Sequence, residues 1–179
     1  MNGGRRKVRY GVAMSLDGFI AGPNGEYDWI VKDEEADAHL VEVWGRFGTL
    51  LMGRRTYEVG KPMFTPENLG DRTVVVASRT LRPEDEPGVT VVRELDRAEM
   101  MRLREQDGRD IWLMGGAELF RHLLLMGEVD GVDASVVPVL LGGGVPLLPA
   151  VAQRTELVLT SHRVFGSGIV SLSYDLVKG

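Results

Sequence analysis

Residues 8 to 14 read Val-Arg-Tyr-Gly-Val-Ala-Met, an apolar-rich run of strand length. The polar, glycine-rich stretch from Ser15 to Asp28 predicts a loop. The period then changes. Ala36, Leu40, Val43 and Phe47 recur at steps of three and four, which predicts a helix from Asp33 to Arg46 with one apolar face. Thr49-Leu50-Leu51-Met52 predicts a short buried strand, and Arg55 to Val59 one helical turn stopped by Gly60 and Pro62. The β-branched run Thr73 to Ala77 predicts a central strand, and Val89 to Val92 another. Asp96 is placed to cap a helix running to Gln106. Ile111 to Met114 predicts a strand, Ala117 to Met126 a helix, and Val132 to Leu141 an extended run. Glu156 to Val164 and Ile169 to Val177 predict two long strands joined by the hairpin turn Phe165-Gly166-Ser167-Gly168.

Strands alternate with helices through the first two thirds, and the end is β only. That order predicts an α/β fold: a mixed, mostly parallel sheet flanked by helices on both faces, with an antiparallel C-terminal hairpin. At 179 residues the chain is expected to form a single domain, 1–179. In such sheets ligands bind outside the carboxyl ends of the strands.

Composition narrows the chemistry. A net charge of −5 argues against nucleic acid as a partner, because phosphate binding needs clustered Lys and Arg. With no cysteine, disulfides, thiolate metal sites and cysteine nucleophiles are excluded. His39, His122 and His162 lack a metal-binding spacing, so no metal is expected. Arg5-Arg6-Lys7 precedes only a short stretch between Arg9 and Asp17, which makes no convincing signal sequence, and no segment has the length of a membrane span. No membrane partner and a cytoplasmic location are therefore expected.

Four predicted strand ends carry suggestive residues. Ala13-Met14-Ser15-Leu16-Asp17-Gly18 leads to Gly22-Pro23-Asn24-Gly25, where glycines either let backbone approach a flat ring or simply turn the chain. Met52-Gly53-Arg54-Arg55-Thr56 offers guanidinium and backbone donors suited to phosphate, or is a solvated basic turn. Ala77-Ser78-Arg79 offers a hydroxyl and a guanidinium for a second phosphate, such as the 2′-phosphate of NADPH. Met114-Gly115-Gly116-Ala117-Glu118 allows close approach of a pyrophosphate to a helix start, or is a tight turn. Neither the GxGxxG fingerprint nor the P-loop pattern is present.

Taken in order, these segments resemble the dihydrofolate reductase superfamily. Within it they are most similar to stand-alone homologues of the C-terminal reductase domain of the bifunctional riboflavin-biosynthesis deaminase-reductase. The likeness also takes in Val137-Pro138-Val139-Leu140-Leu141-Gly142-Gly143-Gly144-Val145-Pro146-Leu147-Leu148 and runs from about residue 7 to 177. It implies an NADPH-dependent oxidoreductase. Ala13 would offer backbone to the nicotinamide carboxamide, and Gly53, Arg54, Arg55 and Thr56 would hold cofactor phosphates. Ser78 and Arg79 would sit at the adenosine ribose phosphate. Gly115, Gly116, Ala117, Glu118 and Leu119 would line the pyrophosphate and nicotinamide side. Ser15, Asp17 and Trp29 would border the substrate pocket. The resemblance also suggests a homodimer surface from Val137 to Pro149; core packing is the alternative for that segment.

The departures concern the acid and the substrate. Dihydrofolate reductases carry an acidic helix residue five after a Trp. Counting from Trp29 gives Glu34; counting back from Met-Gly-Arg gives Asp37. Asp17, Glu34 and Asp37 thus stay open as proton donors, directly or through water. The riboflavin-pathway reductase has a Lys-Trp-Ile segment and an Arg-rich stretch that grips a ribose phosphate; here Asp28-Trp29-Ile30-Val31-Lys32-Asp33-Glu34-Glu35 is acidic and would serve a phosphorylated substrate poorly. The expected activity is hydride transfer to a small, heterocyclic or carbonyl-like substrate. The alternatives are 5-amino-6-(5-phosphoribosylamino)uracil reductase, dihydrofolate reductase itself, or a nucleotide-binding module without catalysis.

Overall fold

The computed structural model describes residues 5–177. In chain order the strands are β1 (Val8–Ser15), β2 (Phe19–Ala21), β3 (Phe47–Gly53), β4 (Thr73–Ala77), β5 (Val89–Val92), β6 (Asp110–Gly115), β7 (Gly131–Val137), β8 (Val145–Pro146), β9 (Leu157–Val164) and β10 (Val170–Leu176). The helices are α1 (Glu34–Trp44), α2 (Arg54–Gly60), α3 (Pro66–Leu69), α4 (Arg97–Glu105) and α5 (Ala117–Leu125). One eight-stranded sheet has the order β5-β4-β3-β6-β1-β7-β10-β9, and β2 pairs separately with β8. The pairs from β5 to β7 are parallel; β10 runs antiparallel to both β7 and β9.

Strand alternation builds two cores. In β3 and β4, Leu51 and Val75 face one way while Leu50, Met52, Val74 and Val76 face the other. Burial on both faces explains why these strands read as unbroken apolar runs. On the first face Phe120 of α5 stacks on Tyr10 with ring centres 4.0 Å apart. On the second, Trp44 of α1 meets Trp112 of β6 edge-on at 5.8 Å. Arg9 of β1, buried on that second face, makes two bonds to Asp133 (2.8 and 2.9 Å) and one to Asp175 (2.6 Å), tying β1, β7 and β10 together.

The predicted α/β architecture is the observed one, and the differences are local. A short strand, β2, interrupts the loop predicted from Ser15 to Asp28, because β8 is there to pair with it. Asp33 is the N-cap of α1 rather than its first residue, accepting from the Glu35 and Ala36 amides at 2.9 Å. Phe47, read as the last member of the α1 stripe, opens β3 instead and is buried there. The Val132–Leu141 run ends as a strand at Val137. The strand predicted from Glu156 to Val164 forms as β9, and all eight of its residues are exposed, because β9 is the sheet's edge. α3 was not anticipated; Pro66 starts it and the Thr65 hydroxyl caps the Asn68 amide.

Candidate functional site

The parallel strands end together, and between β1 and β6 they part. Ladder pairing runs from Val8–Ile111 to Tyr10–Leu113 and stops there, while β6 stays paired to β3 as far as Gly115. The indole N–H of Trp112 takes the Gly11 carbonyl at 3.1 Å, a substitute for the next rung. A Cβ at Gly11 would collide with that indole, so glycine is required. Parity then exposes the backbone of Ala13. Lys7 accepts from Ile111 on the β6 side and Val8 accepts from Asp130 on the β7 side, so odd-numbered residues of β1 turn their amides toward β6. At Ala13 that direction is the open crevice.

β3 and β6 close one wall of this opening with glycine. A Cβ on Gly53 would stand 3.8 Å from the Gly115 carbonyl oxygen and the Gly116 nitrogen, and one on Gly116 3.5 Å from the Thr56 hydroxyl. Gly115 has φ +106°, where a side chain would be strained, and a cis peptide joins it to Gly116. Gly53, Thr56, Gly115 and Gly116 are thus brought together. Arg54 and Arg55 are exposed at the start of α2, with Arg54 in an ion pair with Glu58 at 3.4 Å.

Beyond the ends of β4 and β5 lies a cleft of about 480 Å³ whose lining includes Ser78, Arg79, Arg93, Arg97 and Leu119. Ser78 is buried, and its hydroxyl oxygen accepts from the Thr80 and Leu81 amides (3.2 and 2.9 Å), fixing the turn that presents Arg79. Arg93 and Arg97 escaped the sequence reading. The signal was available, since Arg93 directly follows the β-branched run of β5 and the strand-end rule applies to it equally. Within α5, Ala117 is buried, whereas Glu118 is exposed and pairs with Arg121 at 3.9 Å.

The substrate-side residues behave differently. Both Asp17 carboxylate oxygens are occupied, by the Leu141 amide at 3.1 Å and the Gly142 amide at 2.7 Å. The Ser15 hydroxyl and these amides hold its pKa below the ordinary carboxylate value. Ser15 is buried and accepts from the Phe19 amide at 2.9 Å. Trp29 donates its indole N–H to Glu26 at 3.1 Å, folding its own loop. Glu34 and Asp37 are both exposed on α1. Asp37 lies two turns before Trp44, on the flank that meets Trp112, while Glu34 is turned toward the outer side of the helix.

α1 itself hangs from clasps. Asp33 accepts from the Ser167 amide at 3.0 Å, and Arg163 donates to Glu35 at 2.8 Å. The bond to Ser167, with the Ala36 and Glu35 amides, pulls the Asp33 pKa down to about 2. No α1 residue is fully buried, and Leu40, on the apolar stripe, is 46% exposed. Among the described residues no cluster of His, Asp and Glu could hold a metal ion, and no helix is long and apolar enough to cross a membrane.

The same fold is found in known proteins. The chain is 32% identical over 182 residues to the uncharacterised protein YyaP of Bacillus subtilis, covering 95% of each. It superposes on the diaminohydroxyphosphoribosylaminopyrimidine deaminase/5-amino-6-(5-phosphoribosylamino)uracil reductase of Thermotoga maritima with a TM-score of 0.72 and 18% identity, over 97% of this chain and 57% of that longer one. Dihydrofolate reductase from Enterococcus faecalis, solved in complex with NADP(H) and RAB-propyl, superposes with a TM-score of 0.70 and 19% identity, over 96% and 97% of the two chains. At those identities the superpositions establish the fold. Residues 6–171 match the RibD C-terminal domain, so the chain belongs to that family of reductase domains with the dihydrofolate-reductase fold.

Proposed function

We propose that the protein is an NADPH-dependent reductase that delivers hydride to a small, unphosphorylated heterocycle in the cytoplasm. The observation that carries this reading is the alignment of three features along one edge of the sheet: the β1–β6 crevice, the glycine wall of β3 and β6, and the cleft bearing Arg79, Arg93 and Arg97. A dinucleotide needs just such a row, with close backbone approach at the pyrophosphate and guanidinium groups at the ribose phosphate.

NADPH would supply the hydride. Ala13 would orient the carboxamide through its backbone. Gly53, Thr56, Gly115 and Gly116 would admit the pyrophosphate without steric conflict, aided by Arg54 and Arg55, while Ala117 and Leu119 back the cofactor. Glu118 points to solvent and would contribute least. Ser78 shapes the turn, and Arg79, Arg93 and Arg97 would select the 2′-phosphate. On the substrate side, Asp17 anchors the loop that leaves β7 and Trp29 braces the rim. Proton delivery falls to Asp37, directly or through a water it orients, because Asp17 is engaged and Glu34 faces outward. The rim holds Asp28, Asp33, Glu34, Glu35 and Asp37, and the nearby Arg163 is already paired with Glu35. A substrate phosphate would meet repulsion there.

Calorimetric titration with NADPH and NADH tests the cofactor assignment. NADPH should bind more tightly, and Arg79→Ala or Arg93→Ala should weaken it by roughly 10- to 100-fold, the value of a charge-assisted hydrogen bond, with little change for NADH. Equal binding of both dinucleotides, or of neither, would overturn it.

A further inference from the structure

Tyr10 forms the last rung between β1 and β6, opposite Leu113. Its side chain is wholly buried on the α5 face, with the ring stacked on Phe120. The ring leans toward the open end of the sheet. A Cβ built on Gly115, two residues beyond Leu113, would lie 3.5 Å from Tyr10 Cε2 and 3.8 Å from the hydroxyl oxygen. The hydroxyl therefore ends where the two strands have parted, against the glycine wall. It has no hydrogen-bond partner among the described residues.

For packing alone, the hydroxyl is the wrong group. A buried donor left unpaired keeps the full penalty of leaving water. Phe would fill nearly the same volume and preserve the stack on Phe120. The other residues buried in that core carry no hydroxyl. Tyr57, the other buried tyrosine, shows the usual solution: its hydroxyl donates to Glu86 at 2.6 Å. Burial also holds the Tyr10 phenol well above its ordinary pKa, so at neutral pH it is an uncharged O–H with a proton to donate.

We infer that the Tyr10 hydroxyl donates to an acceptor on the ring that enters the β1–β6 crevice, and so helps to position that ring. The inference rests on the reading that the crevice takes a nicotinamide. The acceptor that a nicotinamide brings is its carboxamide oxygen, whose two lone pairs suffice for the Ala13 amide and the Tyr10 hydroxyl. Beyond the Tyr10–Leu113 rung the β1–β6 ladder has ended, so a flat ring can part the strands and meet the hydroxyl without breaking sheet pairing. Ser78 follows β4, three strands from β1 and so roughly 14 Å away across the sheet. Tyr10 thus acts on the nicotinamide half of the dinucleotide and not on the adenosine half.

Tyr10→Phe removes the oxygen alone. Calorimetric titration with NADPH and with adenosine 2′,5′-bisphosphate then separates the two halves of the site. NADPH binding should weaken by roughly 3- to 10-fold, the value of a neutral hydrogen bond. Binding of the bisphosphate should not change, and the free variant should unfold at the same urea concentration as wild type or a higher one. Equal NADPH affinity in the two proteins overturns the inference and leaves the cofactor reading standing. A wild type that binds no NADPH overturns both. A free variant that unfolds at clearly lower urea also overturns the inference, because the hydroxyl would then have a partner before any ligand arrives. Should Tyr10→Phe fail to fold, the ¹³Cζ resonance of Tyr10 in the wild type decides. It reports hydrogen bonding of the phenol and should move with NADPH and stay fixed with the bisphosphate; no movement with NADPH refutes the inference.

Discussion

α5 and α1 lie on opposite faces of the same sheet and are held in opposite ways. α5 buries Ala117, Phe120 and Leu123, and its N-terminus follows the glycine wall directly. α1 buries no residue fully and is held by Asp33 and Glu35 at the hairpin, by His39 against Phe165 and by Trp44 against Trp112. A fully buried Leu or Phe side chain is worth about 1.5–3 kcal/mol, so α5 belongs to the core and α1 is a cover. In our reading, the rigid side holds the cofactor, whose shape is constant. The clasped side meets the substrate, where the acidic rim sets selectivity.

The sharpest way to break this contrast is to compare acids on the cover. Asp37→Asn should lower turnover by roughly 10²- to 10⁴-fold, the usual worth of general acid catalysis, while Glu34→Gln leaves it nearly unchanged; equal effects would remove Asp37 from its role. Next come matched truncations. Phe120→Ala should cost about 3–5 kcal/mol in urea unfolding, and Leu40→Ala on α1 less than about 1 kcal/mol. Equal costs would mean that α1 is as much core as α5.

The smallest effect is electrostatic. The Asp33 carboxylate has a folded-state pKa of about 2, below its ordinary value of about 3.9. Its contribution to the clasp is therefore complete above about pH 4 and is lost as pH falls through about 2. The Ser167 amide resonance, followed by NMR, should titrate in that window in the wild type and stay flat in Asp33→Ala.

What could be read from the sequence follows the same divide. The strands of the rigid side are buried on both faces, and local pattern is enough to mark Leu50–Leu51–Met52 or Val74–Val75–Val76. The strand-end rule then points to Gly53, Ser78 and Gly115; at Gly115 the φ of +106° requires glycine, and at Ser78 the hydroxyl fixes the turn. It would have reached Arg93 had it been applied to β5. The cover is different. Its fixing depends on partners more than a hundred residues away: Ser167 for Asp33, Arg163 for Glu35, Leu141 and Gly142 for Asp17. No local spacing carries that information. Asp17 therefore looked as available as Asp37, although its carboxylate oxygens accept the Leu141 and Gly142 amides. β9 shows the converse: the pattern reports a strand but not whether anything covers it, and all eight residues are exposed.

The account rests on the cofactor lying along the carboxyl ends of β1, β3, β4 and β6. Amide NMR of the ¹⁵N-labelled chain during NADPH titration tests this most directly. Saturable shifts should concentrate at Ala13, Gly53 to Thr56, Ser78, Arg79, Arg93 and Gly115 to Leu119, with β9 unmoved. Shifts confined to β9, β10 or the outer side of α1, or none on saturation with NADPH, would contradict it.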